Sequence, residues 1–232
     1  MPLAIKVFEL VEPLSLEELA LRLRGYGVLE VEEVEGREYE VGFRVEELEI
    51  REGELRGVFE ESFIASLSYR GEEVRVPVSI QTDFRFVERE GRKFLIVAAK
   101  KARANRVASR ISAAISARRG AIIEAHLREE DLRKLYEERP SAVKVVVFTD
   151  VRLPDVDKLT LYGSQLAESG LYNDYLRLGR VWYAVFESEG GLVVGVTRNC
   201  IITFFSKIDP EEAFGFVKKE ILPLITVAVN HS

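Results

Sequence analysis

Between Tyr39 and Ala99 apolar and polar residues alternate with a period of two, and the alternation breaks at Glu52-Gly53, Arg70-Gly71 and Glu90-Gly91. Successive side chains of a strand point to opposite faces, so the pattern predicts an antiparallel meander with tight turns at those pairs. In Phe59 to Tyr69 the odd positions Phe59, Phe63, Ala65, Leu67 and Tyr69 share one face. In Val74 to Phe86 the even positions Val74, Val76, Val78, Ile80, Phe84 and Phe86 do the same. The opposite face carries Ser62, Ser66, Arg75, Ser79, Gln81, Asp83 and Arg85. This sheet is therefore expected to be covered on one side and open to water on the other. Pro77 removes a ladder amide and predicts an edge or a bulge.

On either side of the meander the period lengthens. Ala4 to Val11 reads as a strand stopped by Pro13, and Ser15 to Glu18 forms a capping box for a helix with Leu16, Leu19, Ala20 and Leu23 on one face. Gly25 and Gly27 stop that helix. The stretch Arg92 to Leu127 reads as strand, long helix, strand and sits mid-chain. Its helix, from about Lys100 to Arg118, collects Ala104, Val107, Ala108, Ile111 and Ile115 on one face and Arg103, Arg106 and Arg110 on the adjoining stripe, with Lys100, Lys101, Arg118 and Arg119 at its ends.

After Gly120 the order begins again. Ala121 to Leu127 predicts a strand, and Arg128 to Glu138 a helix that Pro140 prevents from continuing. Val143–Phe148, Lys158–Tyr162, Arg180–Glu187, Leu192–Thr197 and Ile201–Ser206 read as strands. Asp209-Pro-Glu-Glu212 then opens a helix to about Leu222. Each half can be written strand, helix, about four strands, helix. The fold class is accordingly α+β, with two similar halves, 1–119 and 120–232, each an antiparallel sheet with helices packed on one face, and an insertion at 163–179.

That duplicated plan, with GRKFLIVAAKK (91–101) before the middle helix and SKIDPEEAF (206–214) before the last, resembles the saddle fold of the TATA-box-binding protein family. The resemblance implies a sheet with one face covered by helices and one face free. It rests on element order and carries over no functional residue, because fold does not imply function.

In Val143–Phe148, Val181–Phe186 and Ile201–Phe205 both parities are largely apolar, as in strands buried on two faces. Something must cover the second face. The insertion, the apolar tail Ile221 to Val229, a second copy of the chain and another protein are the alternatives, which makes a homodimer or protein partner at this sheet an expectation.

Composition narrows the function classes. A net charge of -6 argues against binding nucleic acid by bulk electrostatics, so such binding must be local. The nucleic-acid reading places it at Arg75, Gln81 and Arg85 of the open face and Arg103, Arg106 and Arg110 of the middle helix. Tyr172, Tyr175 and Arg177 of the insertion are candidate anchors for a protein partner. Asp150, Asp155 and Asp157 lie in a stretch that reads as a turn between strands, with Asp174 beyond. They are the place where an intracellular enzyme would carry a carboxylate site, although their spacing matches no metal loop and no metal is expected. The single Cys200 sits in an apolar strand and reads as an inert thiol, and His126 and His231 complete no catalytic set. No cofactor is expected. The chain has no bilayer-spanning run, the N-terminus lacks a signal-peptide layout, and the reading is cytoplasmic. Abundant Glu, Arg and Lys with little Gln and Met is the composition of a thermophile protein.

The readings that follow are a non-catalytic binding or assembly protein using an open sheet face, the enzyme just described, and a structural subunit of an oligomer.

Overall fold

The computed structural model describes residues 2–116, 120–137 and 142–225. In chain order its strands are β1 (Leu3–Leu10), β2 (Gly27–Val34), β3 (Arg37–Arg51), β4 (Glu54–Tyr69), β5 (Glu72–Arg89), β6 (Arg92–Val97), β7 (Ile122–Glu124), β8 (Val143–Leu153), β9 (Val156–Tyr162), β10 (Arg180–Glu187), β11 (Val193–Thr197) and β12 (Ile201–Phe204). The α-helices among the described residues are α1 (Leu16–Leu23), α2 (Lys101–Ile115), α3 (Glu129–Glu137), α4 (Gly170–Leu178) and α5 (Pro210–Phe216). The protein is a mixed α/β chain, mostly antiparallel sheet. It divides into a first compact unit, Glu9–Ile123, and a second, Met1–Phe8 with Glu124–Ser232.

In the first unit the strands are ordered β2-β3-β4-β5-β6. Each hairpin closes on a Glu-Gly or Arg-Gly pair at 35–36, 52–53, 70–71 or 90–91, with both residues at positive φ. Such turns match the right-handed twist of the strands they join, which is why the last three pairs read as hairpins from the sequence; the turn at Glu35-Gly36 is added by the structure. Phe84, Phe86, Leu95 and Val97 of the strands are buried, as are Leu19 and Leu23 of α1. The face of α2 expected to meet the sheet, Ala104, Val107, Ala108, Ile111 and Ile115, is buried as well. Each large side chain so buried contributes about 1.5–3 kcal/mol. Both hydrogen bonds of the Ser15–Glu18 capping box are formed.

Strand β2 is absent from the sequence reading, which took Gly27 as a helix stop. In the structure Gly27 opens β2, because a Cβ there would lie 2.7 Å from the Phe43 carbonyl oxygen. Pro77 faces Ile64 in a part of β5 that β6 does not reach, so its missing amide removes no bond to β6.

In the second unit the order is β1-β12-β11-β10-β8-β9. Phe148, Phe186 and Phe204 share one face by register. All three helices dock there, through Tyr172 with Phe148, Tyr136 with Phe186 and Phe216 with Phe204. Helix α5 runs on through a π turn, Val217–Ile221, into a 3₁₀ turn, Leu222–Leu224. The stretch expected to be a loop around Asp150 is a hairpin, with β8 extending to Leu153 and turning at Pro154-Asp155 into β9. Arg118, Arg119, Glu138, Pro140, His231 and the tail beyond Ile225 lie outside the described residues.

Candidate interaction surfaces

The six residues read as a nucleic-acid site fall into two groups on opposite faces of the first unit's sheet. Gln81 and Arg85 lie on the face of Glu60 and Arg56, their register partners, and Arg75 lies on the same face opposite Ser66. Helix α2 lies on the other face, where Arg110 sits 4.6 Å from the centre of the Phe43 ring. There Arg103 and Arg106 both reach Glu61, at 3.5 and 3.4 Å.

The polar face is laced with ion pairs. Arg85 is only 5% exposed and its Nη1 lies 3.4 Å from Glu54 Oε2. Arg56 meets the same carboxylate at 3.4 Å and Glu52 at 3.1 Å. Arg75 pairs with Glu32, and Arg44 bridges Glu46 and Glu60 at 2.7 and 3.3 Å. The Ser79 hydroxyl donates to Glu60 at 2.8 Å and holds that carboxyl below its ordinary range, whereas a hydrogen bond with Glu60 pushes Glu46 up. A phosphate would have to compete with these carboxylates for every guanidinium but that of Arg110, which stacks on a ring.

In the second unit the insertion is anchored to its own sheet. Tyr172 is 1% exposed. Its hydroxyl shares a 2.9 Å hydrogen bond with the buried Tyr136 hydroxyl and donates to Glu137 at 2.9 Å. Arg133 in turn donates to Glu137 at 2.6 Å. The Tyr175 ring is 6.1 Å from Phe148, and Arg177 is exposed, 4.0 Å from Asp174. The insertion therefore covers the face that α3 and α5 also cover.

The opposite face of that sheet is apolar. Register places Val145, Val185, Gly195 and Thr203 in one row and Val147, Tyr183 and Thr197 in the next, with Val193, Ile201 and Phe205 beside them. The Tyr183 ring lies over Gly195, where a Cβ would come within 2.2 Å of the tyrosine hydroxyl. Phe205 is 51% exposed, and Tyr162 of β9, opposite Val145, is 76% exposed. None of these side chains carries a charge. Lys6, opposite Ile201 on this face, is buried, paired with Glu124 and 4.9 Å from the centre of the Phe8 ring. The sequence signal for this face was the double apolar parity of β8, β10 and β12.

Among the described residues no group of three or more His, Cys, Asp or Glu is placed to hold a metal ion. Asp150 and Asp155 sit at positive φ in the β8–β9 hairpin, and Asp157 is in β9. Cys200 is buried, and burial pushes its thiol well above the ordinary value. His126 is exposed. A concave site of about 680 Å³ lies elsewhere in the second unit, floored by Phe186 and Leu192 and walled by Leu135, Phe216 and Pro223, with charges of both signs at its rim. No helix among the described residues is long and apolar enough to cross a membrane. No protein-family model matches this chain, and no curated protein matches it significantly.

Proposed function

We propose that this protein is a non-catalytic assembly protein, built from two variants of one sheet-and-helices plan, that self-associates through the helix-free face of its second unit. The observation that carries this reading is the apolar face of Val145, Val147, Tyr183, Val193, Ile201, Thr203 and Phe205, on which no helix among the described residues docks, opposite the face that holds α3, α4 and α5. Five strands about 4.8 Å apart and about five residues long give it a plan area of about 400 Å². That matches the largest apolar patch a monomer leaves open, and such patches are commonly functional. Its apolar side chains carry no charge and the charged neighbours in register with them are of both signs, Glu187 opposite Val193 and Lys158 opposite Thr149, so in a chain of net charge -6 two copies can meet here without net like-charge repulsion.

The test is mass in solution by light scattering. Wild type is expected at twice the 26.3 kDa chain mass, and Phe205→Glu combined with Tyr162→Glu at the chain mass with an unchanged circular dichroism spectrum. Both side chains are exposed, so the substitutions spare the core. A wild type that stays monomeric at high protein concentration, or a dimer that survives both substitutions, overturns the proposal.

A further inference from the structure

Strand β2 lies at one edge of the first unit's sheet. β2 ends the strand order of the first unit and, among the described residues, pairs only with β3, through eight consecutive residues from Gly27↔Arg44 to Val34↔Arg37. The Tyr26 carbonyl accepts from the Val45 amide at 2.8 Å, and this fixes the phase of the ladder. In an antiparallel pair every second residue bonds inward. The even positions of β2 therefore bond to β3, and Leu29, Val31 and Glu33 turn their amides and carbonyls outward.

Among the described residues no strand pairs with the outward row, and the side chains beside it are open. Val28, Leu29 and Val31 are 51%, 44% and 65% exposed. An exposed, apolar, eight-residue edge is a template for another strand, and proteins restrict such edges with charge. Here the charge is negative. Nine glutamates and three arginines lie between Gly27 and Arg51, a net -6 equal to that of the whole chain. Pairing β2 with β2 of a second copy would gather six carboxylates, from Glu30, Glu32 and Glu33 of each, into one ribbon, where like charges oppose each other. The same carboxylates favour an extended strand bearing Lys or Arg.

We infer that β2 accepts a basic extended segment of a partner protein by strand addition, with main-chain bonds to the outward row and Lys or Arg side chains against Glu30 on one face of the strand or Glu33 on the other. Main-chain pairing supplies affinity and the alternating side chains supply specificity. The site lies in the first unit and does not depend on the self-association reading.

Fluorescence anisotropy on the full chain tests it, with a labelled octapeptide alternating Val and Lys as probe and one alternating Val and Glu as control. The basic peptide is expected to bind at low salt and to weaken as salt rises, and the acidic one not to bind. Val31→Pro removes an outward amide without touching the β3 ladder. It is expected to weaken binding about tenfold, the equivalent of one to two hydrogen bonds. Glu30→Lys with Glu33→Lys should reverse the preference toward the acidic peptide, and this remains informative if the proline variant is unfolded. No binding of the basic peptide at low salt, equal binding by a folded Val31→Pro, or no reversal of preference overturns the inference.

Discussion

The hydrogen-bonded chain Tyr136–Tyr172–Glu137 shows how the energetics of a side chain depend on what its neighbour is left with. Removing the Tyr136 hydroxyl leaves Tyr172 its bond to Glu137, whereas removing the Tyr172 hydroxyl leaves that of Tyr136 buried without its partner. A lost bond costs about 1 kcal/mol and an orphaned buried hydroxyl about 1–3 kcal/mol. Tyr172→Phe is thus expected to destabilise the second unit more than Tyr136→Phe, and the double variant to cost less than the sum. Urea denaturation of the three variants checks this, and equal single effects with simple additivity would exclude the chain as drawn. The sequence leaves the role of these insertion residues open between a partner interface and cover for the sheet. Aromatic and arginine side chains in a glycine-bounded insertion suit a partner interface, and only the fold shows that Tyr172 and Tyr175 of α4 turn onto Phe148.

Among the secondary-structure elements, what could be read from the sequence follows from how local the determining physics is. The buried face of α2 was legible because five apolar residues at helical spacing leave only one stripe to bury, and the hairpins at 52–53, 70–71 and 90–91 were legible because their residue-Gly turns interrupt a clear alternation. Strand β2 was not, because what makes it a strand is its contact with β3. That contact depends on Gly42, which has φ +128 and would place a Cβ 2.0 Å from the Val28 carbonyl oxygen. Gly36, in the turn between the same two strands, has φ +75 and open space around it. Gly36→Ala pays only the backbone strain of about 1–2 kcal/mol. Gly42→Ala must also push β2 away, so it is expected to cost about 3 kcal/mol or more and to raise hydrogen exchange across Gly27–Val34. Similar small losses at both positions would mean that β2 does not need the close approach.

Across the whole molecule, the two units differ in how their charges respond to acid. In the second unit Asp131 is buried between Arg128, at 2.7 Å, and Lys134, at 2.7 Å, and Arg128 above all holds its carboxyl below the ordinary value of 3.8. Its charged form is favoured in the folded state, so its contribution is complete above 3.8 and is lost as pH falls through that value and toward the lowered one. In the first unit Glu60 is likewise lowered, but Glu46, hydrogen-bonded to it, is raised. A raised carboxyl contributes stability at low pH and loses it as pH climbs, so the two offset each other. Glu17 is also lowered, by a backbone amide at the start of α1, but it is fully exposed and adds little. The second unit should therefore yield first on acidification. It contains the only tryptophan, Trp182, whose fluorescence reports on it, while hydrogen exchange across Leu55–Phe86 reports on the first unit. As pH falls below 3.8 the Trp182 signal is expected to change before the exchange of Leu55–Phe86 rises. Asp131→Asn should lower second-unit stability at neutral pH by about 1–3 kcal/mol and flatten its acid dependence. Simultaneous transitions in both units, or an acid dependence that Asp131→Asn leaves unchanged, would place the acid-sensitive charge elsewhere.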